Sequence, residues 1–155
     1  MQRGIVIIIN SLGAGGAESY LCRVLIQLTK STDVTVLTLF DEVDYNNLPG
    51  GCTRIKLDFK KRPFESLRKL INYIRLSDPK LILTWLTISN FIGLIIGFML
   101  NRKTICNVRQ SSIFLRHASI FSNFLAFVNL FIYRFADSVI FNSDFGRKSH
   151  EIKYL

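Results

Sequence analysis

The chain has 155 residues, 49% of them apolar and 20% charged, with a formal net charge of +9. That composition fits one folded domain with a sizeable core and argues against a disordered chain. Three cysteines and two histidines, widely spaced and without a C-x-x-C, argue against a disulfide framework or a zinc cluster and suit reduced thiols in a cytosolic compartment.

Residues 5–9 are five β-branched residues in a row, the pattern of a central parallel strand covered on both faces. No cleavage-like end follows them, so they do not read as a signal peptide. Asn10 and Ser11 end the run. Gly13, Gly15 and Gly16 then give a loop that can take positive φ and admit a phosphate or another backbone. Helical spacing follows over 17–30. Backbone N–H groups at that helix start point into the loop, which makes it a candidate anion site. The dinucleotide fingerprint G-x-G-x-x-G is met at Gly13 and Gly15, and Asp41 ends the second strand. Its third place holds Glu18, a carboxylate that suits the helix dipole and repels a pyrophosphate. A tight strand-to-helix turn with no ligand is the other reading.

Residues 33–40 alternate at period two and form the second expected strand. Residues 41–51 are polar and end in Pro49-Gly50-Gly51, a loop. A short third strand spans 53–57. Pro63 opens a helix over 64–76, with Leu67, Leu70, Ile71 and Ile74 inward and Arg68, Lys69 and Arg75 outward. That helix ends before Asp78-Pro79. Residues 80–84 and 104–108 are the fourth and fifth strands, joined by an apolar helix over 88–100. A second apolar helical region covers 114–135, with a break near Ser122 and Asn123. A sixth strand at 138–141 precedes a last helix that begins near Ser143. The alternation predicts an α/β fold, a Rossmann-like doubly wound parallel sheet.

Charge is uneven. Before Cys52 there are three basic and five acidic residues; from Cys52 on there are seventeen and six. No acidic residue lies between Asp78 and Asp137. Such asymmetry suits an anionic partner, or simply a solvated basic face. Nucleic acid is the least favoured partner, because no binding motif or interleaved aromatic platform accompanies the charge. Residues 81–101 form a run of 21 without a charge, and 118–133 add 16 more. Both are compatible with a two-span membrane protein flanked by Arg102 and Lys103. Gly93 and Gly97 fit either packing between membrane helices or close approach of a helix to a sheet. The 114–135 region, apolar nearly all round with Arg116 and Arg134 at its ends, is either buried or lies in a membrane interface.

Ser11, Gly13, Gly15, Gly16, Ala17 and Glu18 stand as S-x-G-x-G-G-A-E. Further along come TWLTISN at 84–90, NVRQS at 107–111 and ADSVIFNS at 136–143. In this order and spacing they resemble the signatures of the family 4 retaining glycosyltransferases, which have the GT-B fold, and in particular the envelope-polysaccharide members. The resemblance covers nearly the whole chain. It implies that residues 1–155 are the first, acceptor-side Rossmann-like half of a GT-B fold. The family's second domain binds the nucleotide-sugar and carries an E-x7-E pair. No such pair occurs here, so the donor-binding domain is expected to be absent and the chain alone to be inactive. The partners implied are a nucleotide-sugar donor, a glycan or lipid-linked acceptor, a separate donor-binding domain and an anionic membrane surface. No cofactor or metal is implied. The location implied is cytoplasmic, peripheral on the inner face of the cytoplasmic membrane, in polysaccharide, lipopolysaccharide or glycolipid synthesis.

In open α/β sheets ligands bind beyond the carboxyl ends of the strands. The candidate substrate-binding residues there are Gly13, Gly15, Gly16, Asn90, Arg109 and Ser143, with Ser111 beside them. Arg109 suits a phosphate held bidentately, or an ion pair with Glu18 or Asp144. Asn90 and Ser111 suit sugar hydroxyls or helix caps, and Ser143 suits a ligand or an N-cap. His117 and His150 read as structural or exposed. No catalytic residue is identified. A non-catalytic binding module or remnant, and a nicotinamide-dependent Rossmann oxidoreductase, are the rival functions.

Overall fold

The computed structural model describes residues 4–109 and 120–151. Six strands alternate with helices in the order β1 (Ile5–Ile9), α1 (Gly16–Leu28), β2 (Val34–Thr38), β3 (Cys52–Lys56), α2 (Pro63–Ser77), β4 (Leu81–Trp85), α3 (Thr87–Met99), β5 (Thr104–Val108), α4 (Ile120–Ile132), β6 (Ser138–Phe141) and α5 (Asp144–Glu151). A short 3-10 turn, Tyr133–Phe135, joins α4 to β6. All strand pairs are parallel, and the sheet runs β3-β2-β1-β4-β5-β6. This is the strand order of dinucleotide-binding sheets, whose direction of winding reverses between the first and fourth strands.

Central placement explains the composition of β1. All five of its side chains are buried. Ile5, Ile7 and Ile9 meet Leu21 and Leu25 of α1 on one face, together with Val34, Val36, Leu83 and Trp85. Val6 and Ile8 meet Leu70 and Ile74 of α2 and Ile96 of α3 on the other. An alternating strand can supply only one such face; a continuous apolar run supplies both.

Helix α2 starts on Pro63 and stops at Asp78, which takes the left-handed conformation (φ 44) and returns its N–H to Ile74 O at 3.2 Å. Helix α3 lies close against the sheet. A Cβ on Gly93 would collide with Thr84 Cγ2 and stand 3.1 Å from Ile8 Cδ1. A Cβ on Gly97 would collide with Thr104. The two glycines therefore serve helix-on-sheet contact, not packing between membrane spans.

The two-span reading is corrected on the same ground. The 21-residue uncharged run divides into strand β4 and the 13-residue helix α3. Among the described residues no helix is long and apolar enough to cross a membrane. The expected break at Ser122 and Asn123 is also absent, and α4 runs through both. Elsewhere the boundaries move by a residue or two: β3 begins at Cys52, β4 extends to Trp85, and α1 ends at Leu28.

Candidate functional site

The carboxyl ends of β1 and β4 lie side by side, with Ile9 opposite Trp85. Chain leaving β1 turns toward α1, and chain leaving β4 turns into α3 on the opposite layer. The gap between them is the crevice that this topology provides.

The glycine loop is fastened from beneath. Leu12 is fully buried, and its carbonyl accepts the N–H groups of Tyr45 (3.0 Å) and Asn46 (3.1 Å) from the β2–β3 loop. Asn46 also donates Nδ2 to Gly13 O. The Ser19 hydroxyl, one turn into α1, is shared between Asn46 Oδ1 (2.9 Å) and Gly15 O (3.1 Å). Asn46 thus clasps the loop to the helix. Its own loop is pinned by a two-pronged ion pair, Arg54 Nη1 and Nη2 to Asp44 Oδ2 and Oδ1 at 2.5 and 2.8 Å. The Arg54 guanidinium, followed by the Lys56 ammonium, holds the Asp44 carboxyl below its ordinary pKa.

The glycines are there for space. None of Gly13, Gly15 and Gly16 has a positive φ, so the expected left-handed turn is not what the loop uses. Gly15 caps α1 in an extended conformation (φ −75, ψ 156), and no side chain caps the helix. A Cβ at Gly16 would meet nothing within 4 Å, and one at Gly13 only Ser11 Oγ at 3.6 Å. At Gly15 it would fall on the Glu18 carboxylate. Glu18 therefore folds back over the loop and brings negative charge to the helix start. The rim left open at Gly13 and Gly16 is neutral backbone, and an anion at this helix start would face the Glu18 carboxylate.

Positive charge arrives from β5. Arg109 follows the strand, with its guanidinium carbon 4.3 Å from the Tyr20 ring centre and 5.6 Å from that of Trp85. The Tyr20 and Trp85 rings are themselves stacked, 6.3 Å apart at 28°. Trp85 is nearly fully buried and donates Nε1 to Ala17 O at 3.1 Å, which locks the end of β4 to the first turn of α1. Neither expected carboxylate pairs with Arg109: Glu18 lies on Gly15, and Asp144 faces Arg147 at 3.6 Å. The cation–π contacts hold the guanidinium over the rings, and its N–H groups remain the donors of the site.

Leu86, between β4 and α3, sits at φ 78 and ψ 163. A residue with a Cβ is strained in this region, which is populated almost only by glycine. Such strain is tolerated where surrounding contacts over-determine the chain. Here Trp85 is tied to α1, and Ser89 Oγ donates to Asn10 Oδ1 at 2.7 Å across the crevice floor.

Two other candidates have different surroundings. Asn90 is 1% exposed; it accepts Thr84 Oγ1 at 2.7 Å and donates to Asn107 O at 3.0 Å and Tyr133 Oη at 3.1 Å. Its amide is fully used inside the protein, joining β4, β5 and the turn after α4. Ser143 is exposed at the start of α5, and its Oγ accepts Gly146 N–H at 3.0 Å, an N-cap. His150 is buried and packs on Phe141 with ring centres 5.3 Å apart. Ser111 and His117 lie outside the described residues.

A second cavity, of about 330 Å³, opens at the ends of β2 and β3. Of its four bases, Lys56, Lys61 and Arg62 are matched by Asp41, Asp58 and Glu65 at 3.7, 4.0 and 3.4 Å, and Lys69 leaves the lining with a net charge of +1. Sequence reasoning missed Tyr20 and Asn46, and it held Trp85 and Leu86 only as part of the TWLTISN stretch at the end of β4, with no role for either side chain.

Fold and crevice together define a Rossmann-like α/β domain with an open crevice at the β1–β4 switch point. No protein-family model matches the sequence, and no curated protein matches it. Solved structures do. The Anabaena protein Alr3699/HepE, crystallised with UDP and glucose, superposes with a TM-score of 0.69 at 20% identity over 97% of this chain and 41% of its own. The lipopolysaccharide outer core galactosyltransferase WaaB, in its apo form, gives 0.64 at 11% identity over 97% and 42%. The Bordetella bronchiseptica enzyme WbmH, in complex with NAD+, gives 0.58 at 12% over 89% and 55%. The fold is thus that of GT-B glycosyltransferase neighbours, as an N-terminal GT-B-like domain would have it. The chain spans about two fifths of the length of HepE and WaaB.

Proposed function

We propose that this domain forms one wall of a glycosyl-transfer cleft that uses a nucleotide-sugar donor. The observation that carries the reading is the open glycine rim beside a stacked arginine at the switch point. Gly13 and Gly16 have ordinary backbone angles and almost nothing packed against them. Their small size therefore serves a group that comes from outside. A neutral backbone rim near the Glu18 carboxylate suits the hydroxyls of a sugar better than a diphosphate. The guanidinium of Arg109, held over the Tyr20 ring, suits a phosphate oxygen pair. The nucleotide ligand of HepE supports such a donor.

Since HepE is more than twice this chain's length, we infer that the donor is shared with a second domain, on this polypeptide or another. This domain then supplies the acceptor-side wall, and the second supplies the positive groups that stabilise the leaving diphosphate. Retaining transfer to an acceptor hydroxyl, in envelope polysaccharide or glycolipid synthesis on the cytoplasmic side, is the reaction in view.

The test is UDP release from UDP-sugars, measured with the chain alone and with a donor-binding domain added. The reading expects turnover only in the second case, with Arg109→Ala lowering it about a hundredfold or more. Robust turnover by the chain alone would overturn the acceptor-side assignment.

The strand order and the NAD+ ligand of WbmH favour a second reading, a dinucleotide oxidoreductase. The Glu18 carboxylate over Gly15 stands against it, because it occupies the place a pyrophosphate needs. A saturable NADH fluorescence change would reverse that preference.

A further inference from the structure

Two helix starts flank the crevice, and they are built differently. That of α1 carries Glu18 in its first turn, folded back over Gly15. That of α3 is likewise without a side-chain cap, but its first turn holds no acidic residue. The chain has none between Asp78 and Asp137. The first backbone bond of α3 runs from Asn90 N–H to Leu86 O at 2.8 Å. The N–H groups of Thr87, Ile88 and Ser89 before it meet no acceptor among the described residues. Uncapped N–H groups and the helix dipole give such a start the character of about half a positive charge.

The polar side chains of this turn are all engaged within the protein, with one exception. Ser89 is fully buried and sends its hydroxyl to Asn10 Oδ1 at 2.7 Å, so the α3 start lies across the crevice floor from the end of β1. Asn90 gives its amide to Asn107 O and Tyr133 Oη. Asn129 of α4 donates to Thr87 O at 2.9 Å and fixes the backbone of the turn. The exception is the Thr87 hydroxyl. Thr87 is 8% exposed, and its Oγ1 has no partner among the described residues, yet it is not among the unpartnered atoms sealed from the surface. A polar group so enclosed ordinarily has a hydrogen-bond partner. An acceptor entering from the crevice provides one.

We propose that the start of α3 holds a phosphate group of the ligand in the crevice, with Thr87 Oγ1 and the N–H groups of Ile88 and Ser89 as donors. Charge directs the phosphate to this side. At the α1 start it would face the Glu18 carboxylate. At the α3 start it meets free N–H groups, two residues beyond the Trp85 ring over which Arg109 stands. The inference rests on the glycosyl-transfer reading only for the presence of a phosphate-bearing ligand, and its test reads binding and not turnover. Either reactant can bring the phosphate: the donor as its diphosphate, or the acceptor as a phosphate ester.

The test follows the amide N–H resonances of the full chain during titration with UDP and, separately, with glucose 6-phosphate, a phosphate ester without a nucleotide. Saturable shifts at Ile88 and Ser89 are expected. Response to UDP alone assigns the group to the donor, and response to glucose 6-phosphate alone to the acceptor; both support the site. Thr87→Val keeps the branched shape and removes the hydroxyl. It should weaken binding of the responding ligand about tenfold or more. The denaturant midpoint should stay unchanged, because that hydroxyl has no partner inside the protein. Thr87→Ser, which keeps the hydroxyl, should retain the binding that valine loses. Absence of shifts at Ile88 and Ser89 with both ligands would overturn the proposal, and so would a valine variant that binds as tightly as wild type. Shifts at α3 in a protein that transfers no sugar with any added domain would count against the transfer reading and leave this site standing.

Discussion

Leu86 allows a sharp test of the strain at the crevice floor. Its φ of 78 and ψ of 163 suit glycine and cost a residue with a Cβ about 1–3 kcal/mol. Its side chain is half-buried and packs against the core beneath α1. Truncation to alanine removes that packing, about half of the roughly 2–5 kcal/mol lost at a fully buried leucine, and keeps the strain. Truncation to glycine removes the same packing and relieves the strain. It adds about 0.5–1 kcal/mol of chain entropy lost on folding. Leu86→Gly should therefore be more stable than Leu86→Ala by about 1 kcal/mol, or roughly 3 °C in Tm for a chain of this size. Ordinarily the order is reversed. Urea titration and calorimetry of the two variants decide it, and an alanine variant equal to or more stable than the glycine variant would refute the strain assignment.

Gly93→Ala should destabilise by about 1–2 kcal/mol, since the clash with Thr84 outweighs the gain in helix propensity, whereas Gly16→Ala should leave stability unchanged or slightly raised; denaturant midpoints compare the two. Asp44→Asn should cost about 1–2 kcal/mol at neutral pH by breaking the pair with Arg54. Because the folded Asp44 carboxyl is held below its ordinary value, its contribution is full above about pH 4 and is lost as pH falls through the folded pKa. The gap between wild type and variant in unfolding free energy should therefore close below that pH, and a gap independent of pH would contradict the assignment.

The sheet was legible because its cause is local. Five β-branched residues in β1, alternation in β2 and the Pro63 to Asp78 brackets of α2 carry their periodicity in neighbouring positions. The glycine loop was legible as a place, but not in its physics. Gly13 and Gly16 border open space, Gly15 makes room for Glu18, and none takes a positive φ; a run of letters does not distinguish these cases. Asn46 acts across 33 residues from Gly13, and a polar residue in a polar loop has no pattern to betray that. The pairing of Tyr20 with Trp85 and Arg109 exists only once α1, β4 and β5 are side by side. Ser122 and Asn123 look like a helix break by composition. Each costs an established helix only about half a kcal/mol, which the packing of α4 on α3 outweighs.

The central claim is that a nucleotide-sugar meets this domain at the β1–β4 switch point. It is tested most directly by following the backbone and indole N–H resonances of the full chain during titration with UDP-glucose. The account predicts saturable shifts at Gly13, Gly15, Gly16, the Trp85 indole and Arg109, and their loss in Arg109→Ala. Shifts confined to the cavity between Lys56 and Lys69, or no shifts anywhere, would contradict it.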